Sequence, residues 1–145
     1  MKVLEVKNVS KTFEDNEEII RNISLELHEG ELVSLLGVSG GGKTTLFNII
    51  AGLSIPDTGE VWLNGENITG KPGSVSYMLQ KDYLLGWRTI YKNILLGLEI
   101  RHALTKEAQE YVDELLHKYD LYEFKDRYPA QLSGGMRQRV ALIRT

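Results

Sequence analysis

The chain has 145 residues, with 17 basic and 20 acidic side chains, three histidines and a formal charge of −3. That size fits one domain or part of one, the 42% hydrophobic content can supply a sizeable core, and the charge argues against a general nucleic-acid surface. Without cysteine there is no disulfide framework and no thiolate metal site, and no apolar run approaches a membrane span. No secretory leader is recognisable, so the chain reads as soluble and cytoplasmic, with any membrane association through a partner.

In chain order, Val3-Leu4-Glu5-Val6-Lys7-Asn8-Val9 alternates and reads as a strand. Ile19 to Leu27 is expected to be a second strand, with Ile23, Leu25 and Leu27 on one face. His28-Glu29-Gly30-Glu31 turns into Leu32-Val33-Ser34-Leu35-Leu36, a short apolar run that reads as a buried strand.

Gly37-Val38-Ser39-Gly40-Gly41-Gly42-Lys43-Thr44-Thr45 follows, and it fits the phosphate-binding pattern G-x-x-x-x-G-K-[ST]. Leu46 to Ala51 continues as a helix, with Gly52 as its stop. Glycines let the backbone curl so that successive N–H groups point at phosphate oxygens, and the helix start adds its positive end. Lys43 is expected at the β/γ-phosphates, Thr44 on Mg²⁺, and Thr45 beside a phosphate. The bland alternative is a glycine-rich turn with an accidental lysine. At ordinary glycine and lysine frequencies a chance match in this length is roughly a half-percent event, and the flanking strand and helix lower it further.

Pro56-Asp57-Thr58-Gly59 reads as a turn, and Val61 to Glu66 as a hairpin around Asn64-Gly65. Ser74 to Leu79 is expected to be a strand ending at Gln80. Ile90 to Ile100 and Lys106 to Tyr119 read as helices; in the second, Ala108, Val112, Leu115, Leu116 and Tyr119 share helical spacing. The second motif is Gln131-Leu132-Ser133-Gly134-Gly135-Met136-Arg137-Gln138-Arg139. Ser133 suits an N-cap, with a helix running from about Met136 onward. Such a start suits an anion, although a Ser-Gly-Gly helix start is more often only a cap.

Taken together, the glycine loop, Gln80 at a strand end, and Leu132-Ser133-Gly134-Gly135 followed by Arg137-Gln138-Arg139 resemble the nucleotide-binding domain of ABC transporters. Residues 79–82, 84–87 and Met136 look most like the importer ATPases for nitrate, sulfonate and taurine. The resemblance implies an α/β fold: a P-loop NTPase core with an N-terminal antiparallel β region and a helical subdomain, incomplete at the C-terminus. It implies a β region and phosphate-loop core over 1–80 and a mostly helical subdomain over 81–145. It assigns Phe13 to stacking on adenine, with a core aromatic as the alternative. It assigns Gln80 to Mg²⁺ and the attacking water, and Gly37, Ser39, Gly40, Gly41, Gly42, Lys43, Thr44 and Thr45 to ATP. Ser133, Gly134 and Gly135 would cover the γ-phosphate of ATP held by a second ATPase subunit in a head-to-tail dimer. Tyr83 to Leu98 would lie near the permease subunits that hold the protein at the inner face of the membrane, although its apolar residues could equally be helix core. No nucleic-acid partner is implied.

The resemblance also calls for an apolar strand ending in Asp-Glu, and later a histidine, after the signature helix. Val112-Asp113-Glu114 lies on an amphipathic helix instead, and His28, His102 and His117 all precede the signature. The expectation is therefore an ATPase subunit of an importer whose residues 1–145 do not hydrolyse ATP alone. A soluble ABC-type ATPase outside transport, or a fragment that only binds nucleotide, is the alternative.

Overall fold

The computed structural model describes residues 1–12 and 18–145. They form two compact units, Met1–Ser76 and Tyr77–Thr145.

In the first unit, β1 (Lys2–Thr12) is flanked by β2 (Glu18–His28) and β3 (Thr58–Leu63), with the short β4 (Glu66–Asn67) at one edge. The order is β2-β1-β3-β4 and every pairing is antiparallel. Alternation works as expected for a sheet with one covered face. Val6, Val9, Ile20 and Val61 turn inward and pack with Leu46 and Ile49 of α1 (Lys43–Ile50). Burying a side chain such as Ile49 stabilises the unit by about 1.5–3 kcal/mol. Glu5 and Lys7 occupy the outer face, where the Lys7 ammonium lies 4.8 Å from the Trp62 ring centroid. Asn64 and Gly65 have φ of 49° and 83°, as a two-residue turn of the primed class requires.

The sheet is not regular throughout. Val6 pairs with Leu25 but Val9 with Ile23, so β1 spends one residue more than β2 over that interval. Asn8 and Asn22 lie in the left-handed region beside this bulge, at φ 50° and 46°. Ile23, expected on one face with Leu25 and Leu27, pairs with the buried Val9 yet is 37% exposed, while Leu25 and Leu27 stay packed on the core.

Two expected strands are absent. Leu32 to Leu36 adopts no strand pairing, and Leu32 and Leu36 are 92% and 90% exposed. The physical reason is the lack of a neighbour. A strand exists only through its ladder of backbone bonds, and no described segment offers one here. Residues 74–79 likewise form no strand, and Met78 and Leu79 are exposed.

The second unit is helical: α2 (Ile90–Ile100), α3 (Lys106–Lys118) and α4 (Gly134–Arg144), with 3₁₀ turns at Tyr122–Phe124 and Pro129–Gln131. Threonines begin the first two helices. Thr89 Oγ1 accepts from Lys92 N, and Thr105 Oγ1 accepts from Ala108 N at 3.2 Å. Ile90, Ile94, Val112, Leu116, Leu121, Leu132 and Val140 form the core. Val112 and Leu116 sit four apart on the buried stripe of α3, so Asp113 and Glu114 belong to that helix. Helix α4 begins two residues before the expected Met136, directly after Ser133.

Candidate phosphate-binding site

The glycine loop leads from an exposed stretch into α1. Gly37, Ser39, Gly40 and Gly41 are exposed, Gly42 is buried, and Lys43 and Thr45 are half-buried around the exposed Thr44. Gly42 is the hinge of the arrangement. Its φ is 78°, and a Cβ there would stand 2.8 Å from the Ile19 carbonyl oxygen and 2.9 Å from Ile19 Cγ2. Only glycine allows both that conformation and that approach, which presses the start of α1 against β2. Gly41 N donates to Val38 O at 3.1 Å, turning the loop back on itself.

Lys43 completes the curl. Its ammonium donates to Gly37 O at 2.7 Å and Val38 O at 2.6 Å. The loop therefore wraps a mobile point charge at the head of a helix. No side chain caps α1, and its first turn carries no acidic residue. Nothing on the helix offsets the positive end of its dipole, about half an elementary charge. Backbone N–H groups, an ammonium and two threonine hydroxyls make this donor set fit an anion, specifically phosphate oxygens.

Phe13, expected to stack on adenine, lies outside the described residues. Gln80, Ser133, Gly134 and Gly135 belong to the second unit, and all four are exposed. Ser133 Oγ accepts from Met136 N at 3.3 Å, the N-cap that the sequence suggests. The Gln80 carbonyl accepts from Gln138 Nε2 at 3.4 Å. Between Tyr83 and Leu98 the side chains divide. Tyr83 and Trp87 are 58% and 77% exposed, whereas Ile90, Ile94 and Leu95 are core. Among the described residues, no group of three histidine or acidic side chains could hold a metal ion, and no helix is long and apolar enough to cross a membrane.

Several contacts escape sequence reasoning. Asn93 is wholly buried. Its Oδ1 accepts from Leu85 N at 2.8 Å, and its Nδ2 donates to the carbonyls of Leu85, Arg88 and Thr89 at 3.1, 3.1 and 3.0 Å. It ties the turn bearing Trp87 to α2. Arg88 adds a two-pronged bond to the Glu99 carboxylate at 2.9 and 2.7 Å. Arg137 Nε lies 3.0 Å from Asp82 Oδ2 and its Nη1 donates to Leu132 O. Burial pushes the Arg144 guanidinium below its ordinary pKa, while the Asp82 carboxylate pulls it back up. The only sequence signal for these partners is helical spacing, such as that of Arg137 and Arg144.

A profile described as ABC transporter matches residues 20–145. The chain belongs to the ABC transporter family. As an ABC protein it is 44% identical to a sulfate/thiosulfate import ATP-binding protein of Gloeobacter violaceus, over 96% of this chain and 41% of that one. It is 40% identical to a taurine import ATP-binding protein of Roseobacter denitrificans, over 97% of this chain and 54% of that one. The chain thus spans about half the length of the curated relatives it matches. Among solved structures, a dimeric ATP-binding cassette in a post-hydrolysis state bound to ADP and Pi superposes with a TM-score of 0.82 at 33% identity, covering 97% of this chain and 68% of that one. The antiparallel sheet, the glycine loop and the helical unit are thus those of an ABC cassette.

Proposed function

We propose that the protein carrying this chain is the ATP-hydrolysing subunit of an importer, and that Gly37 to Thr45 is its ATP site. The observation that carries the reading is the glycine loop curled around Lys43 at an uncapped helix start, pressed onto β2 through Gly42. In the complex, the Lys43 ammonium would exchange its bonds to Gly37 O and Val38 O for β- and γ-phosphate oxygens. The N–H groups at the start of α1 would face the same phosphates, Phe13 would stack on adenine, and Thr45 would steady a phosphate oxygen. Thr44 and Gln80 would hold Mg²⁺ with oxygens of the nucleotide, because Mg²⁺ is usually bound through few protein ligands plus phosphates and water. Mg²⁺ would neutralise charge on the transferring phosphoryl group. Residues 1–145 contain no Asp-Glu pair after an apolar strand, so hydrolysis is assigned to the whole protein and not to this stretch alone.

Gly134 and Gly135 support a head-to-tail pairing with a second ATPase subunit. Neither has positive φ, and a Cβ would meet nothing nearer than Arg137 Nη2 at 3.9 Å for Gly134 and nothing within 4 Å for Gly135. Glycine in a helix costs up to about 1 kcal/mol relative to alanine. No described residue approaches either position closely enough to require glycine, and we take the open space to admit the γ-phosphate of ATP on the partner subunit. The exposed Tyr83, together with Trp87 on a turn braced by Asn93, suits a permease docking surface on the inner face of the membrane. Relatives named for sulfate, thiosulfate and taurine import point to sulfur oxyanions and sulfonates as the class of solute.

The test is titration calorimetry of the full-length protein with ATP and Mg²⁺. Lys43→Ala is expected to weaken ATP binding at least tenfold, about 1.4 kcal/mol. Equal affinity in the two proteins would remove the loop from the site.

A further inference from the structure

Three side chains of α4 reach one stretch lying 55 to 62 residues earlier. Arg137 Nε donates to Asp82 Oδ2 at 3.0 Å, and Gln138 Nε2 donates to Gln80 O at 3.4 Å. Arg144 donates to Asp82 O at 2.6 Å and Tyr83 O at 2.9 Å. Arg137 and Arg144 are two helical turns apart, so they stand on one face of α4. Ala141 lies between them and is buried at 3% exposure; its single carbon leaves room for another backbone to approach. Tyr83 adds a second kind of observation. Its φ is 44°, a conformation that an aromatic residue keeps only where its surroundings over-determine it. The Arg144 bond to the Tyr83 carbonyl is part of that restraint.

The helix headed by Ser133 therefore also holds the segment that begins at Gln80. We propose that Arg137 and Arg144 are positioning residues that clamp Gln80–Tyr83 to α4, so that a displacement of Ser133 reaches Gln80 as one rigid movement. This rests on the roles given above to Ser133 and Gln80, and supplies their mechanical link. The guanidinium shape is required at Arg144. Its two terminal nitrogens bond two successive carbonyls in a fixed fork, which the single ammonium of lysine cannot reproduce. At Arg137, one nitrogen holds the Asp82 carboxylate while another holds Leu132 O, directly before Ser133.

The experiment uses the full-length protein, with Arg144→Lys and Asp82→Asn as separate variants and Lys43→Ala as control. Steady-state ATP hydrolysis is expected to show kcat at least tenfold lower in Arg144→Lys with KM for ATP within about twofold, because the Lys43 loop is untouched. Hydrogen exchange at residues 81–85 is expected to accelerate at least tenfold, with α2 and α3 unchanged. An unchanged kcat, or a KM that rises in step with the loss of kcat, overturns the clamp. Should Arg144→Lys fail to fold, Asp82→Asn, which removes only the carboxylate held by Arg137, decides by the same criteria. A wild-type protein that hydrolyses no ATP sinks the proposed function instead. Exchange at 81–85 then still decides the clamp, and unchanged exchange in the variants rejects it.

Discussion

Two helix starts carry the glycine motifs of this chain, and they are built on opposite principles. Helix α1 has no capping side chain. Its entry is shaped by Gly42 at φ 78° and by the contact of that residue with the backbone of β2. Helix α4 is capped by Ser133, and its two glycines adopt ordinary φ with open space around them. At the first start glycine serves the fold and the fold presents the donors. At the second, the serine caps the helix, no described residue crowds the two glycines, and the proposed partner-subunit phosphate would use that open space. A glycine motif is thus no single signal: backbone conformation and the space around the absent Cβ decide what it is for.

The comparison breaks most sharply at Gly42. Gly42→Ala is expected to destabilise the first unit by about 2 kcal/mol or more, from the left-handed conformation and the overlap with Ile19 together. Urea unfolding checks this, and a stability equal to wild type would mean the loop has another shape. Lys43→Ala should separate binding from folding at the same start. The bonds lost to Gly37 O and Val38 O are on an exposed loop, so stability should change by under about 0.5 kcal/mol while ATP affinity falls at least tenfold. A matched loss of both would make Lys43 a structural lysine. At the second start, Ser133→Ala should cost about 1 kcal/mol of helix capping. Gly134→Ala should leave stability equal or slightly raised, yet weaken ATP-dependent dimers of the full-length protein in light scattering. Dimers of normal strength in Gly134→Ala would leave that glycine without a reason.

The smallest expected effect lies at the far end of β1 and sharpens the account of the first unit. Asp57 Oδ1 meets Lys11 Nζ at 2.9 Å and Oδ2 accepts from Thr12 N at 2.7 Å. The Lys11 bond first, and then the Thr12 amide, hold its carboxyl below the ordinary value of 3.8. A depressed carboxylate stabilises the fold above its unfolded pKa and loses that contribution as pH falls through the folded one. Asp57→Asn should therefore be slightly less stable than wild type near neutrality. The gap should close below about pH 3.8. A constant gap in unfolding midpoints from pH 7 to 2 would assign the effect to shape and not to charge.

Legibility followed the range of the forces involved. Helices α2 and α3 were readable because a helix is a local pattern, as the spacing of Val112 and Leu116 shows in α3. The hairpin at Asn64-Gly65 and the cap at Ser133 were readable for the same reason: a turn or cap needs only residues a few positions apart. The phosphate loop was readable as a pattern, but the role of Gly42 was not, since Ile19 is far from it in sequence. The bulge beside Asn8 was not legible either, because it is a property of two strands together. Nothing along the chain marks Asn93 or Arg144, and only the structure shows which carbonyls they hold.

Leu32 to Leu36 marks the boundary most clearly. It is richer in apolar residues than β1, where Val6 and Val9 are buried at 1% and 0% exposure, yet Leu32 and Leu36 are almost fully exposed. The sequence by itself determined that this run is apolar, that the loop after it fits a phosphate-binding pattern, and that a capped helix follows Ser133, since each depends on neighbours along the chain. Whether an apolar run becomes a strand depends on a second backbone at hydrogen-bonding distance. β1 has β2 and β3 beside it, and among the described residues Leu32 to Leu36 has neither such neighbour. Pairing, the bulge, the approach of Gly42 to Ile19 and the grip of α4 on residues 80–83 all join positions distant in sequence, so only the tertiary structure could decide them.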